Sequence, residues 1–368
     1  MKILVTGANG FIGKNFCVAL RELEQYEVLE VYSETSESVL LEYLSGADFI
    51  FHLAGINRPK DISEFQEGNE NLTKFIVEAL EKLDRKVPIV FSSSAQVNQA
   101  NPYGESKLAA EKAIEMYADT TGALYYIFRF PNVFGKWCKP NYNSFVATFC
   151  NNILNGIEIS IHDKSAKVRL VYIDDVCESF LEILDGKSKS GLCKVPVEFI
   201  STVGEVANII SSFKSSRRTL ITERVGDGLE RALYATYLSY TPPEDFSYSI
   251  PSHEDTRGVF CEMLKTKDSG QFSFFTAHPG ITRGEHYHHT KNEKFLVIRG
   301  KAVFKFENIS TLERCELEVN GLNPEIVETI PGWSHSITNI GDEELIVMLW
   351  ANEIFDLQRP DTISRRLF

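Results

Sequence analysis

The stretch Thr6-Gly7-Ala8-Asn9-Gly10-Phe11-Ile12-Gly13 determines how the first part of this chain folds. It follows the apolar run Ile3-Leu4-Val5, which predicts a strand, and its three glycines predict a tight turn into a helix. Such a turn lets backbone N–H groups approach a pyrophosphate at a helix N-terminus, where the helix dipole favours negative charge. The sequence therefore predicts a dinucleotide site formed by Gly7, Asn9, Gly10, Phe11, Ile12 and Gly13.

The order of the apolar runs indicates two domains of different class. Over the first 240 residues, short apolar runs alternate with amphipathic stretches, which predicts an α/β Rossmann-type fold, a doubly wound parallel sheet covered by helices. Beyond Pro242-Pro243 the apolar runs are short and closely spaced, which predicts an all-β jelly-roll barrel. We therefore place a first domain at 1–243 and a second at 246–368.

Charge and composition argue against several classes of partner. The 368 residues include 38 basic and 51 acidic side chains, and the formal net charge of -13 repels nucleic acid and anionic membranes. The sequence shows no signal peptide, and no apolar run approaches the roughly 18 to 20 residues that span a bilayer. Seven cysteines without a C-x-x-C pair are typical of reduced thiols. We expect a soluble cytoplasmic protein that binds neither nucleic acid nor membrane.

A second group of residues predicts carbonyl reduction. The run Ile89-Val90-Phe91 ends in three serines and is soon followed by Tyr103 and Lys107 in a helix-forming stretch. The i, i+4 spacing places phenol and ammonium on one helix face, where we expect the positive charge to lower the pKa of the tyrosine. Tyr103 then donates a proton to the developing alkoxide while Ser94 orients the carbonyl oxygen.

Together, the glycine spacing and the Tyr-x-x-x-Lys element resemble the extended short-chain dehydrogenase/reductase family. His52-Leu53-Ala54-Gly55 is similar to that family's strand-four motif, which implies that Leu53 and Ala54 line the cofactor pocket and that Tyr103 and Lys107 contact the cofactor. The second strand ends in Tyr32-Ser33 rather than in an acid, which favours NADP(H) over NAD(H). Ser33 and Lys14 are the expected contacts of the 2′-phosphate.

Two further stretches resemble landmarks of the sugar-nucleotide members of that family. They run from Arg129 to Gly135 and from Arg169 to Val176. The resemblance implies a UDP-sugar substrate, with Asn132 on the sugar nucleotide and Arg169 gripping the diphosphate, for which a guanidinium has suitable geometry. The alternative is structural: Asn132 holds a turn, and Asp174 and Asp175 cap a helix. The segment between Ser94 and Tyr103 is shorter than in most extended members, so we expect a reshaped cleft.

The motif Gly280-x5-His286-Tyr287-His288-x4-Glu293-x6-Gly300 resembles the first cupin motif along its whole length. On a strand, residues two apart share a face, so His286 and His288 point into a barrel and Glu293 joins them from the next strand. The stretch 331–339 resembles the second cupin motif and makes His335 a fourth ligand. These residues predict a divalent-metal site, with His289 as the substitute for a misassigned ligand.

The ligand types alone do not identify the metal. Mixed imidazole and carboxylate ligands suit zinc, iron, nickel or manganese. We predict zinc, because removal of a proton next to a ketone needs a redox-silent Lewis acid, and iron with oxygen chemistry is the alternative. Four neighbours of the ligands are unranked candidates for the base that removes this proton: Glu285, Tyr287, His289 and Lys294.

The two sets of motifs together resemble the CapF family of bacterial capsular polysaccharide synthesis enzymes over essentially the whole chain. That resemblance implies a UDP-2-acetamido-2,6-dideoxy-4-keto-hexose that is epimerised at C3 in the cupin domain. NADPH-dependent reduction at C4 then gives UDP-N-acetyl-6-deoxy-L-talosamine, a precursor of UDP-N-acetyl-L-fucosamine. A homodimer, formed through the cupin, is implied as well.

Two other interpretations stay open at the level of sequence. In one, the chain is a single-activity keto-sugar reductase, and its zinc cupin is structural or dimerising. In the other, the first domain senses NADP(H) without catalysis. Ser94, Tyr103 and Lys107 are all present, which argues against a sensor.

Overall fold

The chain folds as two compact units, Met1–Ser144 with Lys167–Ser201 and Phe145–Ala166 with Thr202–Phe368. The structure, a computed structural model, describes residues 1–250, 252–255, 258–261, 264–266, 270–353 and 358–367. At 252–255, 258–261, 265–266, 271 and 273 it describes the backbone alone.

Helices and strands are numbered here in chain order. The helices are α1 (Phe11–Glu22), α2 (Glu37–Gly46), α3 (Ser63–Phe65), α4 (Leu72–Lys82), α5 (Pro102–Thr121), α6 (Phe145–Leu154), α7 (Ile173–Leu184), α8 (Val203–Thr219) and α9 (Gly228–Leu238). The strands of the first unit are β1 (Lys2–Thr6), β2 (Glu27–Val31), β3 (Phe49–His52), β4 (Ile89–Ser94), β5 (Tyr125–Phe130), β6 (Asn132–Phe134), β7 (Lys167–Tyr172), β8 (Gly191–Cys193) and β9 (Phe199–Thr202), whose last residue begins the second unit. Those that follow are β10 (Ile221–Thr222), β11 (Ser247–Ser249), β12 (Ser252–Asp255), β13 (Gly258–Cys261), β14 (Lys265–Thr266), β15 (Gln271–Ala277), β16 (Thr282–Tyr287), β17 (Glu293–Arg299), β18 (Lys301–Asn308), β19 (Arg314–Asn320), β20 (Glu325–Glu328), β21 (Trp333–Asn339), β22 (Leu345–Ala351) and β23 (Ile363–Ser364).

A six-stranded parallel sheet forms the first unit, in the order β2-β1-β3-β4-β5-β8. All six residues of β4 are buried, as expected of a parallel strand with helices on both faces. The strand order reverses between β1 and β3, so the carboxyl ends of these strands form the crevice where α/β sheets bind ligands. The predicted Rossmann-type fold is confirmed.

Helix α5 begins where the sequence provides strong local signals. The Asn101 side chain accepts a hydrogen bond from the Gly104 N–H at 2.8 Å, and Pro102 occupies the first helical position, where its missing N–H is harmless. The helix ends at Gly122, whose φ of 75° is left-handed. This start places Tyr103 and Lys107 in the first two turns.

Two five-stranded antiparallel sheets dominate the second unit. Their orders are β11-β20-β17-β22-β15 and β19-β18-β21-β16-β23. Alternating apolar side chains of both sheets meet in a buried core that includes Phe295 and Val347 from one sheet and Phe304, Phe306 and Ile337 from the other. The predicted all-β C-terminal region is confirmed.

Helices α6, α8 and α9 also belong to the second unit, although they precede residue 243. Arg217 on α8 donates to the Glu328 carboxylate on β20 at 2.7 Å, and the Phe213 ring lies 5.0 Å from that of Tyr234 on α9. The domain boundary that the sequence predicts, at 243 to 246, lies where strands replace helices along the chain. That domain boundary stays a prediction. Among the described helices, none has the length and apolar character needed to cross a bilayer.

Candidate active site and metal centre

A cavity of about 1070 Å³ opens in the first unit at the carboxyl ends of β1 and β4. The glycine turn, the three serines of β4 and the start of α5 line it. Its charged lining residues, all within the described part of the chain, are four cations without a carboxylate: Lys107, Lys139, Lys167 and Arg169. On a chain with a net charge of -13, this concentration of positive charge selects anionic ligands.

At the mouth of this cavity, the turn after β1 requires its glycines. Gly7 has a φ of +67°, and a Cβ atom there would lie 2.8 Å from the backbone nitrogen of Ala54. A Cβ atom on Gly13 would lie 2.1 Å from the Gly7 carbonyl oxygen. The Gly10 N–H donates to the same carbonyl at 2.9 Å. The backbone is thus exposed at the start of α1, which fits the pyrophosphate of a dinucleotide.

Behind the turn, His52 fixes the end of β3. The Ala54 N–H donates to Thr6 Oγ1 at 3.1 Å, and the Thr73 hydroxyl donates to Asn69 O at 2.7 Å. His52 Nε2 must therefore donate to Thr73 Oγ1, while Nδ1 accepts from the Thr6 hydroxyl. Burial, and then Lys107, lowers the pKa of His52 to about 3, so this ring stays neutral. The motif at 52–55 thus supports the turn, with Leu53 facing the cavity.

Ser94, Tyr103 and Lys107 all line the cavity, as the sequence predicts. Burial raises the pKa of the Tyr103 phenol, and a hydrogen bond with Ser94 lowers it less. The Lys107 ammonium donates to the carbonyl of Ser92 at 3.0 Å, and burial lowers its pKa to about 8. The expectation that Lys107 lowers the pKa of Tyr103 is not met, because desolvation dominates at both groups. The phenol is protonated at neutral pH and can donate.

Asn69 is a positioning residue that sequence reasoning missed. It is buried in the π-helical turn Gln66–Asn71, and its amide accepts from Ile56 N–H at 2.9 Å and donates to Ile56 O at 3.0 Å. It also donates to Ser106 Oγ at 3.0 Å, and Ser106 donates to Tyr103 O at 2.9 Å. The amide therefore ties the loop after β3 to α5. Nothing in the local sequence distinguishes this asparagine from its neighbours.

The predicted substrate residues Asn132 and Arg169 lie together at the cavity. The Asn132 amide donates to the carbonyl of Arg169 at 3.2 Å, and the exposed Arg169 guanidinium pairs with Glu198, with Nη2 at 2.7 Å from Oε2. Arg169 must leave Glu198 before it can bind a diphosphate with both nitrogens.

The predicted 2′-phosphate contacts lie apart from the cavity lining. Ser33 is exposed and donates to Glu34 at 2.8 Å, so a phosphate there must displace a carboxylate. The Lys14 ammonium lies 5.7 Å from the ring centroid of Trp137, which lines the cavity. Of the two predicted contacts, Lys14 is therefore better placed than Ser33.

Four predicted ligands converge in the second unit. His286 lies on β16, His288 directly after it, Glu293 at the start of β17 and His335 on β21, and their ligand atoms all lie within 4.8 Å of one another. The Nε2 atoms of His288 and His335 lie 3.3 and 3.4 Å from Glu293 Oε2. Both ring nitrogens of the buried His335 lack a hydrogen-bond partner among the described residues. A divalent cation would take Nε2 of His335, the nitrogen that faces Glu293, together with the other three donors, so the donor set fits a metal site.

A β-bulge aims His286 into this cluster. The pairing of β16 with β21 shifts register between Gly284 and His286, and the extra residue, Glu285, has a φ of +59°. After the shift, His286 lies opposite His335, and their ring centroids are 4.6 Å apart. The sequence predicted the shared face of His286 and His288 but not this bulge.

Lys294, a candidate base, is committed to other partners. Its buried ammonium contacts the carboxylate of Glu328 and donates to Tyr248 Oη at 2.9 Å. Successive strand residues point to opposite faces of a sheet, so Lys294 points away from Glu293 and the ligand cluster. Lys294 is therefore removed from the candidates, and Glu285, Tyr287 and His289 remain.

Two family models match the sequence of this chain. The NAD dependent epimerase/dehydratase family matches residues 3–192, and the polysaccharide biosynthesis C-terminal domain matches residues 253–363. The chain is also 53% identical over 365 residues to the UDP-2-acetamido-2,6-beta-L-arabino-hexul-4-ose reductase of Pseudomonas aeruginosa. That match covers 99% of this chain and 98% of the relative.

Solved structures give a similar result. The capsular polysaccharide assembling protein CapF from Staphylococcus aureus is 42% identical, with a TM-score of 0.69 and 100% coverage of both chains. CapF with the inhibitor 3-isopropenyl-tropolone is 38% identical, with a TM-score of 0.64 and the same coverage. The UDP-glucuronic acid 4-epimerase of Bacillus cereus, 21% identical over 58% of this chain and 84% of its own, shares the fold with a TM-score of 0.52. The chain therefore belongs to the NAD dependent epimerase/dehydratase family and, over its full length, to the CapF family.

Proposed function

We propose that this chain epimerises a UDP-2-acetamido-2,6-dideoxy-4-keto-hexose at C3 and reduces it at C4 with NADPH, giving UDP-N-acetyl-6-deoxy-L-talosamine. One observation carries the reductase half: among the described residues, the cavity lining has four cations and no carboxylate, and it contains Ser94 and Tyr103 as well. A dinucleotide and a UDP-sugar each carry a diphosphate. The Pseudomonas aeruginosa relative, named as the reductase of a UDP-linked hexul-4-ose, supports this substrate class.

Reduction needs a proton donor beside the ketone and an oriented carbonyl. Bound NADPH supplies the hydride. The Tyr103 phenol, which burial keeps protonated, donates its proton to the C4 oxygen, and the neighbouring Ser94 hydroxyl orients that oxygen. Asn69 and Ser106 hold the backbone of Tyr103 in place, and Lys107 and Arg169 balance the negative charge of the ligands.

Epimerisation at C3 needs the proton next to the C4 ketone to become acidic. A divalent cation, zinc in this proposal, supplies a redox-silent Lewis acid for that ketone. The buried imidazoles of His288 and His335 and the Glu293 carboxylate would hold the cation, together with His286. A base near this cluster would remove the C3 proton, and return of a proton to the opposite face of C3 would complete the inversion. A homodimer through the second unit is part of the same proposal, and sedimentation velocity tests it.

The two activities can be separated in one experiment. The full-length, zinc-loaded protein is incubated in deuterated water with a UDP-4-keto-6-deoxy-N-acetylhexosamine, first without NADPH and then with it. Without NADPH, we expect the C3 proton to exchange with deuterium, which NMR detects as loss of the C3 proton signal. Reduction should begin only when NADPH is added. The variant His288→Ala should lose the exchange, and Tyr103→Phe should keep it while losing about 10²- to 10⁴-fold in reduction rate.

The same experiment, on the parent protein and on Tyr103→Phe, tests the alternative functions. Absence of exchange in the parent protein, with reduction intact, would leave a single-activity reductase whose metal site is structural. Full reduction by Tyr103→Phe would contradict the proposed role of the phenol. A first domain that senses NADP(H) without catalysis would show no reduction in the parent protein.

A further inference from the structure

A partly buried carboxylate far along the chain organises the loop between two of the four metal-site ligands. Asp361 lies outside the ligand cluster, yet its side chain bonds to the segment that joins His288 to Glu293. Its Oδ1 atom accepts from one backbone N–H of that loop and its Oδ2 atom from two, at 2.9, 2.8 and 2.7 Å from His289, Thr290 and Lys291. The Thr290 hydroxyl adds a fourth bond at 3.0 Å. The loop therefore has its conformation specified by a residue about 70 positions away in sequence.

The backbone of the same residue orients a ligand. His288 Nδ1 lies 2.5 Å from the Asp361 carbonyl oxygen, and because a carbonyl can only accept, Nδ1 must carry the hydrogen. The neutral ring then keeps its lone pair on Nε2, the atom that lies 3.3 Å from Glu293 Oε2 in the cluster. A metal-binding histidine commonly has its second nitrogen fixed in this way, and the partner decides both tautomer and ring orientation.

Asp361 adopts this position against a local backbone preference. Its φ of +37° lies in the left-handed region, which a non-glycine residue enters at a cost. The Lys291 ammonium donates to the carbonyl of Pro360 at 3.2 Å and to Thr362 Oγ1 at 2.8 Å, so both sides of Asp361 are anchored to the ligand loop. Because so many hydrogen bonds hold Asp361 in this strained backbone conformation, we infer that the conformation is needed at the metal site.

We propose that Asp361 is a positioning residue for the metal site, holding His288 in the tautomer and orientation that present Nε2 to the ion. The carboxylate fixes the 289–291 loop, the carbonyl fixes the ring, and the two act together because they belong to one residue. This inference rests on the proposed metal site.

The test measures metal affinity directly on the full-length apoprotein. Co²⁺ is titrated and its absorption bands followed, with Zn²⁺ competition to obtain the zinc affinity, at a temperature where near-ultraviolet circular dichroism shows each variant folded. In Asp361→Asn, an amide N–H replaces one carboxylate oxygen and faces the backbone N–H donors of the 289–291 loop. We expect the variant to bind Co²⁺ and Zn²⁺ about 10- to 100-fold more weakly. Asp342→Asn makes the same change at an exposed position of the same unit and should leave the affinity unchanged.

Thr290→Val covers the case in which Asp361→Asn fails to fold, because it keeps the three backbone bonds to the carboxylate. It removes the hydroxyl, which donates to Asp361 and accepts from Arg231. We expect a smaller loss of affinity in the same direction. Affinities within twofold of the parent protein in each folded variant would overturn the inference while leaving the metal site standing. If the parent protein binds no Co²⁺, the inference and the metal half of the proposed function fail together. A changed Co²⁺ spectrum in the folded Asp361→Asn variant would support positioning, since loss of stability alone does not alter ligand geometry.

Discussion

Lys107 loses its proton at a lower pH than Tyr103 does. Burial lowers the pKa of Lys107 to about 8 and raises the pKa of Tyr103 above its usual value. Lys107 is therefore charged below about pH 8 and loses its charge above it, while the phenol keeps its proton throughout. Because the ligands are anionic, the loss of this charge weakens their binding.

We expect kcat/KM for reduction to fall as pH rises through about 8, with Lys107 as the group responsible. The variant Lys107→Arg stays ionised, so any activity that it retains should show this decline displaced to higher pH. The measurement is a profile of kcat/KM between pH 6 and 10, in parallel with the affinity for NADPH from its fluorescence. A kcat/KM profile of the parent protein that is flat through pH 9 would contradict this assignment. If kcat/KM of Lys107→Arg falls at the same pH as in the parent protein, a group other than Lys107 is responsible for the decline.

At the scale of elements, the glycine turn between β1 and α1 makes a sharp prediction. A Cβ atom on Gly13 would lie 2.1 Å from the Gly7 carbonyl oxygen, so Gly13→Ala must displace backbone. We expect a loss of about 1 to 3 kcal/mol in the free energy of unfolding and markedly weaker NADPH binding, from urea titrations and fluorescence. The displaced atoms belong to the turn that we propose binds the pyrophosphate, so NADPH binding should weaken even where the fold survives.

Gly46 provides a matched control for that change. It ends α2, and a Cβ atom there would meet nothing within 4 Å. Gly46→Ala should therefore raise stability, by up to about 1 kcal/mol, and leave NADPH binding unchanged. Equal effects at the two glycines would show that the close approach at Gly13 is relaxed in solution.

Elements whose signals are local could be predicted from sequence. The turn at Gly7 to Gly13, the helix that carries Tyr103 and Lys107, and the ligand spacing from His286 to Glu293 each lie within a short stretch, and the structure has them as expected. The family was recognised from the same stretches. Asn69 and the bulge at Glu285 could not be predicted, because their meaning depends on strands or loops distant in sequence. Asp361 is the extreme case, since 73 residues separate it from His288.

The expected fall in the Tyr103 pKa was wrong for a related reason. Spacing places an ammonium near a phenol, but it does not give the depth at which both are buried. Lys107 instead donates to the carbonyl of Ser92, and desolvation governs both groups. Charge arguments from sequence need burial, which only the packed structure supplies.

At the scale of the whole molecule, segment 202–243 reads as part of the α/β pattern but packs in the second unit. A helix that covers a parallel sheet and a helix that covers an antiparallel one have the same amphipathic pattern, so sequence cannot assign it. The assignment depends on contacts such as a buried ionic group. In that group, Glu328 on β20 bonds both to Lys294 on β17 and to Arg217 on α8.

Glu328→Gln should therefore destabilise the second unit selectively. The change leaves two cations, one of them fully buried, without a countercharge, at a cost of about 3 to 5 kcal/mol. Trp333 and Trp350 lie in the second unit and Trp137 in the first, so tryptophan fluorescence in a Trp137→Phe background reports the second unit alone. NADPH binding in the parent background reports the first unit. Glu318→Gln, at an exposed position of β19, should change either transition by no more than about 0.5 kcal/mol.

We expect the urea midpoint from Trp333 and Trp350 to fall in Glu328→Gln, while the urea concentration that abolishes NADPH binding changes little. We expect these two urea concentrations to respond differently because α8 is stabilised by its contacts with β17 and β20 rather than by the first unit. If both transitions shift together, α8 is energetically part of the nucleotide-binding unit as well, and the boundary that the sequence suggested at 243 to 246 is the better description of how the chain unfolds. If neither transition shifts, Lys294 and Arg217 are hydrated in the variant. The ionic group then does not stabilise the packing of α8 on the sheet.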